Sequence, residues 1–506
     1  MKKITKAIII VLILLLILGG ASFAYVYFAT DILKTDRQLF GKYIAQEAEI
    51  FDIFKDEDLK AYNTKKQNTP YENNGKYYVT GVEEYLPEKA KDMDITFSGE
   101  TDKANKYTYR QIKVNYNDDT SMAIDYVNDK DYYGIKFEEI LKKYITIENN
   151  NLKEFAEKLG ETDLDNIPDK IEIDKVKEQT KFTEEEVQEI KEILKNTLNE
   201  KLTDEMFSSN KNTETSIYSI HITLTDTIEV AKTVMQNLSN SELIMNRMKE
   251  IYKSQNNASD EEASKYIEEL KENVKDYIDE EIDEDYKNIK ISINLYVQDK
   301  KLIKTELAIF DMEENEQIYN VVLNNEANKI SVELQAYDEQ ELETQASFDI
   351  EKTKTEDELK YNISIKTEED VKIELSAKWT GLNELEKVNE QYSIQMSDDD
   401  EEYGYFLTNQ NEFTESISNK IDESQLQIVN GYSTEKLEVI IEKLQTAIEQ
   451  LNKKKMEEIG VDEDANPIIY YIPLAGPMLA GSNDIIDPGF SNDIIDPGFD
   501  DAELSQ

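Results

Sequence analysis

From Asn288 to Met396 the chain alternates apolar and polar residues with a period of two. Ile289, Ile291, Ile293, Leu295 and Val297 open the pattern in strict alternation. Ile330, Val332, Leu334 and Ala336 continue it, followed by Ala346, Phe348 and Ile350. Leu359, Tyr361, Ile363 and Ile365 come next, then Val371, Ile373, Leu375, Ala377 and Trp379, and finally Tyr392, Ile394 and Met396. The other face is mostly Lys, Glu, Asn, Ser and Thr. Period two with short polar turns predicts long strands in an antiparallel meander with one buried face. Something must cover that face, and the helices just before it are the expected cover.

Those helices are predicted over about 226–238, 241–252 and 260–282, the last opened by a capping box of Ser259 and Glu262. Ahead of them Tyr218, Ile220, Ile222 and Leu224 alternate as a strand. Thr183 and Glu186 make an earlier capping box, with Val187, Ile190, Leu194 and Leu198 on one helical side. Nearer the start, 35–59 reads as one helix and 63–75 as a turn-rich connector. Strands are expected over 76–85, 93–100, 106–117 and 121–128, and short helices over 137–144 and 152–159. Ser433 begins an amphipathic helix carrying Leu437, Ile440, Leu444 and Ile448 to Gly460.

One stretch has no periodicity. Residues 7–30 form an uncharged run behind Lys2, Lys3 and Lys6. At ~1.5 Å per residue this run is roughly 36 Å of helix, enough to cross a hydrocarbon core of about 30 Å. Each residue from Ile8 to Leu18 is Ile, Val or Leu, favouring insertion by on the order of 3 to 7 kcal/mol. The alternative is a signal peptide cleaved after Ala24, which would leave the apolar stub Tyr25–Ala29 on the product. The expected reading is an uncleaved anchor: a single-pass protein of the cell membrane, with the bulk of the chain extracytoplasmic.

Charge narrows the partners. Lys and Arg total 57 against 108 Asp and Glu, a formal net charge of −51. Such a surface repels nucleic acid, so no nucleic-acid partner is expected. With no cysteine there are no disulfides, thiolate metal sites or cysteine nucleophile. The single histidine, His221, sits between Ile220 and Ile222 and is expected on the polar, solvent-facing side of its strand. Residues 462–466 begin like a calcium loop, but Pro467 stands where Gly is needed and Pro473 where Glu is needed. Phosphate-loop, dinucleotide-loop and G-x-S-x-G patterns are absent. No catalytic, cofactor-binding or metal-ligating residue is therefore assigned, and the chain is expected not to be an enzyme.

The tail carries a different signal. It has no Lys or Arg after Lys455, holds five of the eight prolines, and repeats SNDIIDPGF at 482–490 and 491–499. Each copy sets apolar side chains around an Asp-Pro-Gly turn. The residues offered for docking a protein partner are Ile485, Ile486, Pro488 and Phe490, with Ile494, Ile495, Pro497 and Phe499 in the second copy. Two copies would raise avidity through effective concentration. Duplication of a neutral segment is the alternative.

The segments FATDILKTDRQLFGKYIAQ (28–46) and YYGIKFEEILKKYITIENNNLKEFAEKLG (132–160) resemble an uncharacterised family of single-pass, membrane-anchored envelope proteins of clostridia-like bacteria. That resemblance covers roughly 1–460 and implies no activity. The expected fold is α+β: an N-terminal transmembrane helix, then helices packed on long antiparallel meander sheets, which look like the lipoprotein-carrier type of half-barrel. The expected division is an anchor at 1–30, a first α+β domain at 31–212 and a second domain at 213–432. An amphipathic helix at 433–460 and an acidic tail at 461–506 follow. The leading functional expectation is a non-enzymatic, membrane-tethered binding or scaffolding module. The alternative is a carrier or sensor of apolar ligands, such as lipid, using the concave face of the meander.

Overall fold

The computed structural model describes residues 35–47, 53–81, 94–116, 119–160, 170, 182–212, 214–256, 258–282, 284–314, 316–326, 328–338, 341–367, 371–397, 402–417 and 420–459. The expected span at 7–30 and the repeat tail lie outside them. Among the described residues, no helix is long and apolar enough to cross a membrane.

Among the described residues the fold is α+β, dominated by one open, eighteen-stranded sheet. Strands β9 (Ile289–Gln298), β10 (Lys301–Asp311), β11 (Glu316–Glu326), β12 (Lys329–Asp338) and β13 (Glu341–Lys354) run as a meander. It continues through β14 (Glu358–Thr367), β15 (Lys372–Thr380), β16 (Lys387–Ser397) and β17 (Glu402–Phe413), each antiparallel to the last. The expected meander is therefore present, with the alternation shifted at irregularities between Leu302 and Lys304, Ile309 and Phe310, and Ala336 and Tyr337. β8 (Ser216–Thr223) and β7 (Phe207–Asn210) extend the sheet beyond β9. Backbone pairing of β7 with β8 thus crosses the 212/213 position.

At the other end the chain's first strand, β1 (Tyr71–Thr80), is inserted. It pairs with β17 on one side and with β2 (Asp94–Asp102) on the other. β3 (Tyr107–Tyr116), β4 (Asp119–Asp129), β5 (Tyr132–Phe137) and β6 (Tyr144–Glu148) follow in order. β18 (Leu426–Ile428) closes the series, parallel to β6. β1 is therefore the seam joining two stretches of sheet. Gly75 in its middle has no room for a side chain: a Cβ there would come within 2.1 Å of the Phe97 ring. The edge strands β7 and β18 have four and three residues, too short to template further pairing.

The reading of the first hundred residues needs correction. Helix α1 spans Asp36–Glu47, but a second helix, α2, occupies Glu57–Asn68 where a connector was expected. Asp56 caps α2 by accepting from the amides of Asp58 and Leu59. Residues 138–143 are turns rather than a helix, leaving only the short α3 (Leu152–Lys158) in that region. Both expected capping boxes are present, on α4 (Glu184–Lys201) and α7 (Asp260–Asp279). Between them lie α5 (Leu224–Asn240) and α6 (Glu242–Asn256); α8 (Thr434–Ile459) follows β18.

The main core lies on one face of the sheet, called here the inner face, while Tyr107, Val127 and Tyr144 pack with Ile421 and Leu426 on the other. Leu39, Phe40, Tyr43 and Ile44 of α1 pack with α4 and α5 against β7 to β10, and Tyr43 stacks on Tyr218 at 5.1 Å. Ile53 packs on Ile330 and Ile350, and Tyr62 of α2 on Leu359, Tyr361 and Trp379. The cover is thus shared: α4 and α5 serve one end, and the N-terminal residues 36–47 and 53–68, called here the strap, lie across the face.

Polar contacts pin the strap. Tyr361 donates its hydroxyl to the carbonyls of Ile53 and Phe54 at 3.2 and 3.3 Å. Lys354 and Lys352 reach the Asp56 carboxylate at 2.8 and 3.3 Å. Burial pushes that carboxyl up, but the two lysines and the Leu59 amide outweigh it and hold it below its ordinary value. Farther along, Glu390 of β16 is fully buried and accepts from Tyr62 at 2.7 Å, Lys66 at 3.2 Å and Asn409 at 2.8 Å. Desolvation alone would raise the Glu390 pKa; the Lys66 ammonium and the three hydrogen bonds lower it further than burial raises it.

The outer face is not uniformly solvated. Ser292 was expected on the wet side but is only 4% exposed, because it is hydrogen-bonded to His221 at 2.8 Å and lies opposite Ala308. Ile291, Ile293 and Leu295 are buried as expected.

Truncating Leu295 to Ala should cost about 2–5 kcal/mol in urea unfolding, whereas Lys301→Ala, on an exposed strand end, should stay within ~0.5 kcal/mol. Equal effects would mean the two residues are not differently buried. Lys66→Met leaves the Glu390 carboxylate buried and unpaired and should cost about 3–5 kcal/mol, most of it recovered in Lys66→Met/Glu390→Leu. Because Glu390 titrates below its ordinary 4.5 when folded, its stabilising contribution is complete above that pH and fades as pH falls through the folded value. Urea midpoints of wild type and Glu390→Gln should therefore converge on acidification.

Candidate ligand-binding face

The strap covers only part of the inner face. Register places apolar side chains in rows that run across the strands. One row is Phe348, Ile365, Ile373, Met396 and Tyr403, from β13 to β17. The next is Ile363, Leu375, Ile394, Tyr405 and Val79, from β14 to β1. Directly opposed residues share a face, so both rows continue the face that is core beneath the strap.

Near the strap these rows are packed: Phe348 and Ile363 contact the cluster around Ile53. Away from it they are not. Ile394 is 42% exposed, Met396 37% and Tyr405 38%. Ile365, Ile373, Leu375 and Tyr403 are half-buried by their neighbours and join no core cluster of described residues. Ile373 and Leu375 were expected to point inward; they lie on the inner face as expected and are half-buried there.

One side of the open area meets the polar seam. Glu390, Asn409 and Gly75 form the row next but one to Ile394 and Tyr405, with Tyr392, Leu407 and Tyr77 between. Asn411 donates to the Tyr62 hydroxyl at 2.7 Å, and Asn409 to Asn411 at 3.3 Å. The apolar area is thus bounded on its covered side by the buried ion pair and its amide ladder. Sequence reasoning missed both the pair and the boundary. The signal available was the break in apolar alternation at Glu390, Asn409 and Asn411, which reads equally as a polar strand end.

Elsewhere the chemistry is sparse. The His221 imidazole has Ser292 Oγ at Nδ1 and Ser208 Oγ 3.4 Å from Nε2. Burial lowers its pKa, and the nearby Lys290 ammonium lowers it further. The histidine is half-buried rather than solvent-facing, held by two serines across the sheet. Among the described residues no acid is hydrogen-bonded to it, so the third member of a nucleophilic triad is not among them. Among the described residues, no cluster of His, Asp and Glu is arranged to hold a metal ion. The tail positions Ile485, Ile486, Pro488, Phe490, Ile494, Ile495, Pro497 and Phe499 lie outside the described residues.

A family model matches residues 1–454, and its description is a family of unknown function, DUF6583. The chain belongs to this family. The match covers nearly the stretch over which the sequence resembled an uncharacterised family, and it supplies no activity. No curated protein matches. Among solved structures, the chain is similar to intact Ap-TbpB (N and C lobes), at 7% identity over 69% of this chain and 78% of that one, with a TM-score of 0.09. Likeness that slight carries no argument about fold or role.

Proposed function

We propose that this member of DUF6583 is a non-enzymatic binding module whose ligand is an apolar chain, such as the acyl chain of a lipid. The observation that carries the reading is the part of the inner face that the strap leaves open among the described residues. A packed sheet buries such rows; here Ile394, Met396 and Tyr405 stay exposed on the face that is core elsewhere. Contiguous exposed apolar rows mark interaction sites. Their extent suits an acyl chain. From Ile363 to Val79 the row crosses five strands, about 19 Å at ~4.8 Å per strand. One acyl chain spans half of a ~30 Å hydrocarbon core, about 15 Å.

The membrane tether belongs to the same reading. The uncharged run at 7–30 supports it: an anchored module would present its open face close to the lipid it samples, with the bulk of the chain extracytoplasmic. Protease added outside wall-stripped cells should then digest the bulk of the chain.

The single tryptophan reports on the site. Trp379 is buried under the strap on the same strand and face as Leu375, four residues away or about 13 Å at ~3.3 Å per residue. A neutral, polarity-sensitive dye such as Nile red should bind the full-length protein saturably and accept excitation energy from Trp379. Ile394→Asp with Met396→Asp should weaken that binding by about tenfold or more without changing the urea midpoint appreciably. Binding that does not saturate, or that the double substitution leaves intact, removes the apolar site.

A further inference from the structure

The ends of the strands add a constraint on what the chain-like ligand carries at its head. β12 and β13 meet at the end of the sheet where the rows are open, as do β14 with β15 and β16 with β17. The turn joining β10 and β11 lies at this end too, because Tyr319 stands opposite Ala336 and Asp311 opposite Ile289. The described ionisable groups here lean acidic. Glu313, Glu314, Glu341, Glu343 and Glu402 are exposed, and Glu316 is half-buried. Against them stand Lys287 and Lys366, both exposed, the half-buried Lys290, and Lys372, which is already paired with Glu374 at 2.7 Å. At the strap end the balance differs: Lys352 and Lys354 approach Asp56, and Lys378 approaches Glu358 at 2.7 Å.

A ligand lying along Ile373, Met396 and Tyr403, a row one residue from the strand ends, runs beside this acidic margin and sets its head next to it. A carboxylate or phosphate head would sit among like charges there, and a cationic head among opposite ones. Resting on the apolar-chain reading above, we infer that the face selects amphiphiles with a positively charged head group, such as an alkylammonium, over anionic ones of equal chain length. The carboxylates are in water, so each attraction is modest and screened by salt. Selectivity comes from several acting together on a head held in place by its buried tail.

The test displaces bound Nile red from the full-length protein with decyltrimethylammonium, decyl sulfate or uncharged decyl maltoside. All are kept below their micellar concentrations, with far-UV circular dichroism confirming that the fold persists. At low ionic strength the cation should displace the dye at a concentration about tenfold or more below that of the sulfate. The gap should narrow on adding salt, with the neutral amphiphile between. Two triple variants separate the margin from the overall charge. Glu341→Lys/Glu343→Lys/Glu402→Lys should abolish or reverse the preference. Glu261→Lys/Glu268→Lys/Glu269→Lys, with the same change in net charge on α7, should leave it. Equal displacement by cation and sulfate, or equal effects of the two triple variants, overturns the head-group inference while the apolar site stands. Failure of any amphiphile to displace the dye removes both.

Discussion

An open sheet can bury only what is laid across it, and here one segment does much of the covering. Residues 36–47 and 53–68 lie over the inner face between β7 and β17, delivering Leu39 to Ile44 at one end, Ile53 midway and Tyr62 at the other. Their placement depends on the lock between α2 and β16. Lys66 and Tyr62 close on Glu390 in a buried site. A buried ion pair contributes little net stability against a well-packed apolar alternative, but it penalises wrong registers heavily, since any slip leaves a charge unpaired. We therefore read the lock as a registry device for the strap. The strand that follows the strap is β1, the seam of the whole sheet. Setting the strap thus also sets where β17 and β2 meet.

The same constraint produces the site. A strap has one width and the strands are long, so covering one end of each strand leaves the other end bare. The lock, the Asp56 bridge and the Tyr361 hydrogen bonds hold the strap toward that covered end. The open apolar rows are what remains. The ion pair and amide ladder mark the border, because polar residues at Glu390, Asn409 and Asn411 are tolerated only where α2 supplies partners.

Much of the fold is legible in the sequence. Alternation from Ile289 to Met396 predicts the meander and the face each residue takes, because period two admits no other regular structure. The capping boxes at Thr183 and Ser259 are local signals and are seen in place. What escapes is long-range. Nothing near Tyr71 says that it will pair with Phe413, and the polar composition of 57–68 hides a helix whose few inward residues are Tyr62 and Lys66. Coverage escapes too: Ile293 and Ile394 have the same local pattern, yet one lies beneath helices and the other does not. Alternation reports which way a side chain points. It is silent on what lies above it.

That distinction can be measured directly, since the chain has no cysteine of its own. Single cysteines at Ile350 and Ile394 share the inner face, one beneath the strap and one on the open rows. Maleimide labelling of the folded, full-length protein should be fast at 394 and slow at 350, with both fast in urea. Equal protection at both positions would show that another part of the chain covers the rows, contradicting a half-covered face.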